Sequence, residues 1–212
     1  MPTLSLTTQY FTSRGFAVVD VNHRGSTGYG RAYRQALYKQ WGKADVEDLA
    51  AAVRFLSERG DIDPRRVAIR GASAGGFSVL NALIHHPEFV AGSVYFGISD
   101  LELLAQETHK FESRYADQLV GPYPEAKALY KERSPIHSLD KLQKPLVLFH
   151  GRQDIAVPVN QAERLQKQLS DRGVTAELHV YENEGHGFRR SETISASLQA
   201  ELAFYVRVFA LD

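Results

Sequence analysis

The serine at position 73 stands in a pattern that could make it a nucleophile. Residues 71–75 read Gly-Ala-Ser-Ala-Gly, between an apolar run and a stretch with helical spacing. A G-x-S-x-G pattern in that context carries a serine on a sharp turn from a strand into a helix, which exposes its Oγ atom. We expect the glycines at 71 and 75 to remove Cβ atoms that would clash in this turn. Because a hydroxyl is a weak nucleophile at neutral pH, Ser73 also needs a base beside it.

Asp154 and His186 are the residues that could activate this serine. Asp154 follows an apolar run that ends at residue 150, and His186 lies between two glycines after a later run. The order serine, acid, histidine along the chain is that of one known class of hydrolytic triad. We therefore predict that Ser73 attacks a carbonyl carbon, that His186 takes and returns the proton, and that Asp154 orients the imidazole.

Other residues compete for these roles. Ser73 could be a structural turn serine, and Asp154 could form a turn or cap a helix. The rival acids are Asp100, Asp140 and Asp171, and the rival histidines are His150, His179 and the pair His85–His86. We expect His150, at a strand end, to pack or to support the catalytic residues from behind, and His179 to lie on the sheet surface. The pair should end the helix that follows the serine, where the helix dipole favours them.

A serine nucleophile also needs hydrogen-bond donors for the oxyanion that forms on the substrate. The backbone N–H of Ala74, directly after the serine, is the first candidate. The second donor is expected from a loop after an earlier strand, but the sequence contains nothing like a His-Gly-Gly motif. Loss of one donor lowers turnover by a factor of about 10²–10³, so a site without the second donor would be less active.

Alternating apolar runs and helical patterns surround these residues. The predicted strands are 16–21, 66–70, 91–98, 145–150 and 175–181, and the predicted helices include 45–59, the stretch after Ser73, 159–171 and 191–209. Strands that alternate with helices indicate an α/β fold with a mostly parallel sheet and helices on both faces. Residues 99–144 interrupt the alternation as a helix-prone insertion. They could form a lid or wall of the site, or surface helices that do not contact substrate.

The composition limits the classes of function. The chain has 212 residues, which fits one domain, and 25 basic and 25 acidic residues, which favours neither nucleic acid nor an anionic membrane as a partner. It has no cysteine, which excludes a thiol nucleophile and a thiolate metal site. No apolar run approaches the ~20 residues of a membrane span, and the first ten residues do not resemble a secretory signal. We predict a cytoplasmic protein without a metal or organic cofactor.

Four motifs in order resemble the prolyl oligopeptidase family of serine peptidases, nearest to its acylaminoacyl-peptidase and dipeptidyl-peptidase-like branches. The motifs are 22–30 (NHRGSTGYG), 71–77 (GASAGGF), 150–158 (HGRQDIAVP) and 184–188 (EGHGF), and the resemblance runs from about residue 11 to residue 209. It implies an α/β-hydrolase fold and hydrolysis of peptide or acyl-amide bonds, with esters as further substrates. By this likeness, Ser73, Asp154 and His186 fall on the family's triad positions.

The resemblance also marks two departures from the family. Its members usually carry an N-terminal β-propeller, and they begin the catalytic domain with several strands and an oxyanion loop. In this chain, residues 1–14 resemble the helix that follows that loop, so we expect an N-terminally incomplete catalytic domain. A strand would then be absent between 16–21 and 66–70. The first strand could move into the gap, another copy could supply a strand and form a homo-oligomer, or the missing piece could lie outside this chain.

The same motifs suggest further site residues. Arg24 and Tyr29 follow the first predicted strand, where they could contact substrate or stabilise the loop. The resemblance implies that Ala156 and Val157 line the pocket for the residue before the scissile bond. We expect short peptides or acyl-aminoacyl compounds as substrates. The alternatives are a carboxylesterase acting on small acyl esters, and a weakly active or non-catalytic fragment with an incomplete oxyanion hole.

Overall fold

The sheet consists of four parallel strands in a computed structural model that describes residues 4–107 and 114–211. The strands are β1 (Ala68–Ala72), β2 (Ala91–Tyr95), β3 (Leu146–Gly151) and β4 (Ala176–Tyr181), and they lie side by side in chain order. Each pair of neighbours is parallel, so a helical crossover must return the chain to the same end of the sheet each time. All four strands therefore present their carboxyl ends at one edge.

Helices connect and cover these strands. In chain order they are α1 (Leu6–Thr12), α2 (Arg31–Gln35), α3 (Ala44–Glu58), α4 (Ala74–His85), α5 (Leu101–Glu107), α6 (Tyr115–Leu119), α7 (Lys127–Arg133), the 3₁₀ helix Pro135–His137, α8 (Asn160–Ser170) and α9 (Ser191–Phe209). In the described ranges, no helix has the combination of length and apolar character that a bilayer crossing needs.

The alternation of side chains along β3 shows that both faces of the sheet are covered. Leu146 and Leu148 join a buried cluster with α3, α4 and α8, whereas Val147 and Phe149 join another with α1 and α9. Successive side chains on a strand point to opposite faces, so a strand buried on both sides reads as a continuous apolar run. The predicted parallel sheet with helices on both faces is confirmed.

Most predicted elements agree with the structure within a few residues. The helices predicted at 45–59, 159–171 and 191–209 correspond to α3, α8 and α9, and the last has the predicted bounds. The strand predicted at 66–70 begins two residues later, and the strand predicted at 91–98 ends at Tyr95. Of the helix expected over 1–14, the structure describes α1, which Ser5 caps by accepting a hydrogen bond from the backbone N–H of Thr8 at 3.2 Å.

The strand predicted at 16–21 is wrong. This segment forms no strand, and Val18 and Val19 are 40% and 53% exposed. Phe16 packs inward, against the aromatic cluster of α1 and α9, and residues 17–20 are exposed. An apolar run becomes a strand only when a neighbour satisfies its backbone groups. Here β1 is the terminal strand of the described sheet, and nothing pairs with its outer side.

The structure excludes one of the three hypotheses about the strand that is absent between residues 16–21 and β1. The hypothesis that the first strand moves into the gap is wrong, because residues 16–21 do not join the sheet. Pairing of β1 with a strand from another copy, or with polypeptide outside this sequence, stays a prediction. An exposed strand edge offers unpaired N–H and C=O groups, so either partner would stabilise it.

Candidate active site

Ser73 lies on the tight turn between β1 and α4, with a strained backbone. Its φ is 53° and its ψ is −118°, and a positive φ is rare for a residue with a side chain. The backbone N–H of Ser73 donates to the carbonyl oxygen of Tyr95 on the neighbouring strand at 2.9 Å, which holds the turn against β2. The sequence motif therefore forms the serine turn that its pattern predicts.

The two motif glycines do not have the same role. A Cβ atom on Gly71 would overlap the backbone of Gly75, so this position requires glycine. A Cβ atom on Gly75 would meet nothing within 4 Å, which makes the expected clash at that position wrong. The second close approach involves the next residue, Gly76, whose added Cβ would lie 2.6 Å from the Cα atom of Gly97. The turn is thus packed at 71 and 76 and open at 75.

Alanine substitutions at these glycines test this difference. We expect Gly71→Ala to lower the free energy of unfolding by about 1–3 kcal/mol, because the new methyl group forces the turn apart. Gly75→Ala is the matched control. It lies in the first turn of α4, where alanine should be neutral or stabilise by up to about 1 kcal/mol. Urea unfolding followed by circular dichroism measures both, and equal losses in the two variants would contradict this account.

Three polar side chains converge above the carboxyl ends of β1, β3 and β4. His186 Nε2 lies 2.9 Å from Ser73 Oγ, and His186 Nδ1 lies 2.8 Å from Asp154 Oδ2. The carboxylate can only accept, so Nδ1–H donates to Asp154, and Nε2 is left as the acceptor for the serine hydroxyl. This tautomer is the one that can take the proton of Ser73.

Asp154 is held as a buried carboxylate. Its side chain is fully buried, and Oδ1 accepts the backbone N–H groups of Ala156 and Val157, both at 2.9 Å. His150 Nε2 lies 3.4 Å from Oδ2 and 2.8 Å from the carbonyl oxygen of Val157. Burial alone raises the pKa of Asp154, but the hydrogen bonds from His150, His186 and the backbone of Val157 outweigh it and hold that pKa well below its usual range.

A buried glutamate fixes the loop that carries His186. The Glu184 side chain accepts the backbone N–H groups of Arg189 and Arg190, each at 3.0 Å, and the residue is 3% exposed. Its own carbonyl oxygen accepts the N–H of Gln153 at 2.9 Å, which ties this loop to the one carrying the acid. Burial raises the pKa of Glu184, but these two backbone donors and Thr193 overcome it and lower the pKa. Glu184 is therefore a positioning residue for His186.

An aromatic ring packs on the imidazole of His186. Phe96 follows β2, and its ring centroid lies 4.9 Å from that of His186 at an interplanar angle of 63°. Its φ of 38° is positive, and its N–H donates to the carbonyl oxygen of Phe149 at 2.7 Å. Sequence reasoning missed Phe96 and Glu184, whereas the contact of His150 with Asp154 fits the supporting role that was one of its two expected roles. An aromatic residue before glycine at a strand end was the only available signal for Phe96.

The predicted oxyanion donor and the two predicted pocket residues lie in different environments. Ala74 is the first residue of α4, so no carbonyl of that helix can accept its N–H. Ala156 and Val157 are 7% and 2% exposed, and their N–H groups hold Asp154, so a role of their side chains in the substrate pocket stays a prediction.

Arg24 and Tyr29 lie on the loop before α2, and their contacts are within the protein. The Arg24 guanidinium contacts Asp48 at 3.0 Å and Glu47 at 2.9 Å, both on α3, and these hydrogen bonds raise its pKa. Tyr29 is 57% exposed, and its ring packs on Tyr33 with centroids 5.6 Å apart. The contacts of Arg24 fit the loop-stabilising alternative.

The rival residues lie away from the serine or have other partners. Asp100 accepts from the backbone at the start of α5, Asp140 is exposed, and Asp171 pairs with Lys167 on the surface. His179 stacks on Phe149 within the sheet, and α4 ends at His85 with His86 as its cap. Among the candidates, only His186 lies within hydrogen-bond distance of Ser73 in the described residues.

The sheet with its serine turn is the α/β-hydrolase fold. A family model described as the prolyl oligopeptidase family matches residues 2–212, and the chain belongs to this family. A solved structure of a puromycin-hydrolyzing peptidase from Mycobacterium tuberculosis superposes with a TM-score of 0.97 at 47% identity, over 99% of this chain and 32% of that chain.

Two curated relatives match most of the chain at lower identity. Dipeptidyl aminopeptidase BIII of Pseudoxanthomonas mexicana is 31% identical over 194 residues, which are 89% of this chain and 28% of that protein. Acylamino-acid-releasing enzyme of Arabidopsis thaliana is 30% identical over 200 residues, 89% of this chain and 26% of that protein. The chain therefore spans between 26% and 32% of the length of the three relatives.

Proposed function

We propose that this chain carries the catalytic site of a serine peptidase, which cleaves peptide or acyl-aminoacyl bonds through a covalent acyl-enzyme. The observation that carries the proposal is the unbroken hydrogen-bonded series from Ser73 Oγ through His186 to Asp154, at 2.9 and 2.8 Å. A structural serine would not need a base within hydrogen-bond distance that is itself oriented by a buried carboxylate.

The proposed reaction has two stages. Ser73 Oγ attacks the carbonyl carbon while His186 Nε2 takes the hydroxyl proton, and the resulting imidazolium is stabilised by Asp154. The backbone N–H of Ala74 donates to the oxyanion. As the tetrahedral intermediate collapses, His186 gives the proton to the departing amine, which leaves an acyl-serine. Water then loses a proton to His186 and attacks the ester carbonyl. His186 returns that proton to Ser73 Oγ as the second tetrahedral intermediate collapses, which releases the acid and restores the hydroxyl.

The oxyanion donors distinguish this proposal from the alternatives. Only Ala74 is identified as a donor in the described residues, and loss of one donor costs about 10²–10³ in turnover. An ester has a better leaving group than an amide, so a site with one donor would favour small acyl esters. A carboxylesterase is therefore the second candidate, and a non-catalytic fragment is the third.

The names of the relatives narrow the proposed substrates. They are a dipeptidyl aminopeptidase, an acylamino-acid-releasing enzyme and a puromycin-hydrolyzing peptidase. We propose that this chain acts on short peptides or acyl-aminoacyl compounds, and that puromycin is a suitable test substrate. A cytoplasmic location and a reaction without cofactor are part of the same proposal. The cysteine-free composition is compatible with a reducing compartment.

Hydrolysis of a substrate panel tests the proposal. The panel contains p-nitrophenyl esters, aminoacyl-p-nitroanilides, N-acetylated aminoacyl-anilides and puromycin. We expect turnover of at least one amide substrate, and the ratio of amide to ester turnover separates a peptidase from a carboxylesterase. Labelling by a fluorophosphonate probe without turnover of any amide would favour the carboxylesterase. If the chain shows neither labelling nor turnover, the non-catalytic fragment is the candidate that remains.

A further inference from the structure

A cationic cavity lies at the end of α4 remote from Ser73. Its volume is about 670 Å³, and it lies between the end of α4, the end of α7 and the turn before α3. The 12 residues of α4 span about 18 Å, so the cavity is separate from the candidate active site. Its nitrogen-bearing side chains include those of Lys43, His85, Lys131, Arg133, His137 and Lys141.

Four cationic side chains in this lining face only two carboxylates, and both carboxylates have partners. Glu132 pairs with Lys43 at 3.1 Å, and Glu47 pairs with Arg24 at 2.9 Å. Within residues 4–107 and 114–211, no carboxylate oxygen lies at ion-pair distance from Lys131 or Lys141. The carboxylate of Asp45 acts on Arg133 from within the protein, but Lys131 and Lys141 keep positive charge that no carboxylate among the described residues pairs with.

Arg133, which also lines the cavity, contributes a buried positive charge. The residue is 8% exposed, and its terminal nitrogens donate to the carbonyl oxygens of Trp41 at 3.3 Å and Lys39 at 2.9 Å. Its Nε–H is buried without a partner among the described residues. Burial also lowers the pKa of Arg133, although Glu132 and Asp45 act in the opposite sense.

The dipoles of two helices offset part of the positive charge in the cavity. Both α4 and α7 end at the cavity, and the carboxyl end of a helix carries roughly half a negative charge, which favours nearby cations. Two such ends do not balance the unpaired lysines together with Arg133. The effect of the remaining charge is seen at His85, whose pKa is lowered by burial and by Lys141, His86 and Lys43.

We propose that this cavity binds a phosphate-bearing small molecule. Its volume falls within the range of small-molecule sites, roughly 300–1,000 Å³. Phosphate oxygens would accept from the ammonium groups of Lys131 and Lys141, and these hydrogen bonds are charge-assisted and therefore strong. The buried guanidinium of Arg133, which also lines the cavity, adds a further positive charge near the phosphate. The proposal does not depend on the hydrolytic function, because its evidence lies outside the candidate active site.

Isothermal titration calorimetry at constant ionic strength tests the proposal. The parent chain is titrated with inorganic phosphate, pyrophosphate and adenosine monophosphate, which distinguish a free phosphate from an organic one. We expect saturable binding of at least one probe. The double variant Lys131→Gln/Lys141→Gln should bind at least about tenfold more weakly, the factor that corresponds to 1.4 kcal/mol. Lys167→Gln, an exposed lysine on α8, is the matched control and should bind as the parent does.

Thermal unfolding of each variant without probe establishes that the substitutions leave the fold intact. A second readout is the titration of His85 by NMR, because a bound phosphate should raise its pKa by reversing the effect of the neighbouring cations. Three results would overturn the proposal: no saturable binding by the parent, equal affinity in the double variant, or an equal loss in Lys167→Gln. None of them bears on labelling or hydrolysis at Ser73, so the two proposals fail separately.

Discussion

Replacing Ser73 by alanine should abolish labelling by a fluorophosphonate probe and lower kcat/KM by a factor of about 10⁴–10⁶. The methyl group cannot attack a carbonyl carbon, while the hydrogen bond between His186 and Asp154 stays intact. The residual rate should be that of water attack aided by the oxyanion donor and by binding. Labelling is read by mass spectrometry of the intact chain, and kcat/KM is measured with the best substrate of the panel.

The fold of this variant is not expected to change. Ser73 Oγ has an exposed hydrogen bond to His186, so its loss should alter the free energy of unfolding by less than about 1 kcal/mol. Ser195→Ala, at an exposed position on α9, is the matched control and should label fully. Undiminished labelling of Ser73→Ala would remove this residue as the nucleophile, whatever the activity of the parent.

The positions of Ser73, Asp154 and His186 could be predicted because their signals are local. The glycine at 71 and the apolar run before it define a strand that turns sharply into a helix. The acid and the histidine each follow another strand of a parallel sheet, and parallel strands end at one edge. No long-range contact had to be known to expect these three side chains near each other.

The features that were wrong or missed depend on long-range contacts. Residues 16–21 have the composition of a buried strand, but strand formation depends on a neighbour that no local pattern reveals. Glu184 is a charged residue in a loop, and only the folded chain shows that its carboxylate is buried against two backbone donors. Likewise, the packing partner of Gly76 is Gly97, on another segment, so the motif alone could not identify it.

Replacing Asp154 by asparagine should lower kcat by a factor of about 10³–10⁴ and change KM much less. An amide that donates to His186 Nδ1 would leave the proton on Nε2, where it faces Ser73 and cannot accept the hydroxyl proton. A loss of this size follows from such a tautomer change in a serine protease. Asp171→Asn, at an exposed aspartate after α8, is the matched control and should retain the activity of the parent. A kcat for Asp154→Asn within tenfold of the parent would contradict the assigned role.

The difference in free energy of unfolding between the parent and Asp154→Asn should also depend on pH, in a direction that the pKa of Asp154 determines. The fold lowers the pKa of Asp154, so the charged carboxylate stabilises the native state at pH values above about 3.9, the pKa of an unfolded aspartate. That contribution is lost progressively as the pH falls below this value towards the lower folded pKa. Asparagine has no such proton to gain, so the parent should exceed Asp154→Asn in free energy of unfolding at pH 7, and the difference should shrink between about pH 4 and pH 2. Urea unfolding over this range measures it, and a difference that stays constant with pH would mean that the buried carboxylate is not stabilised in its charged form by His150, His186 and the backbone of Val157.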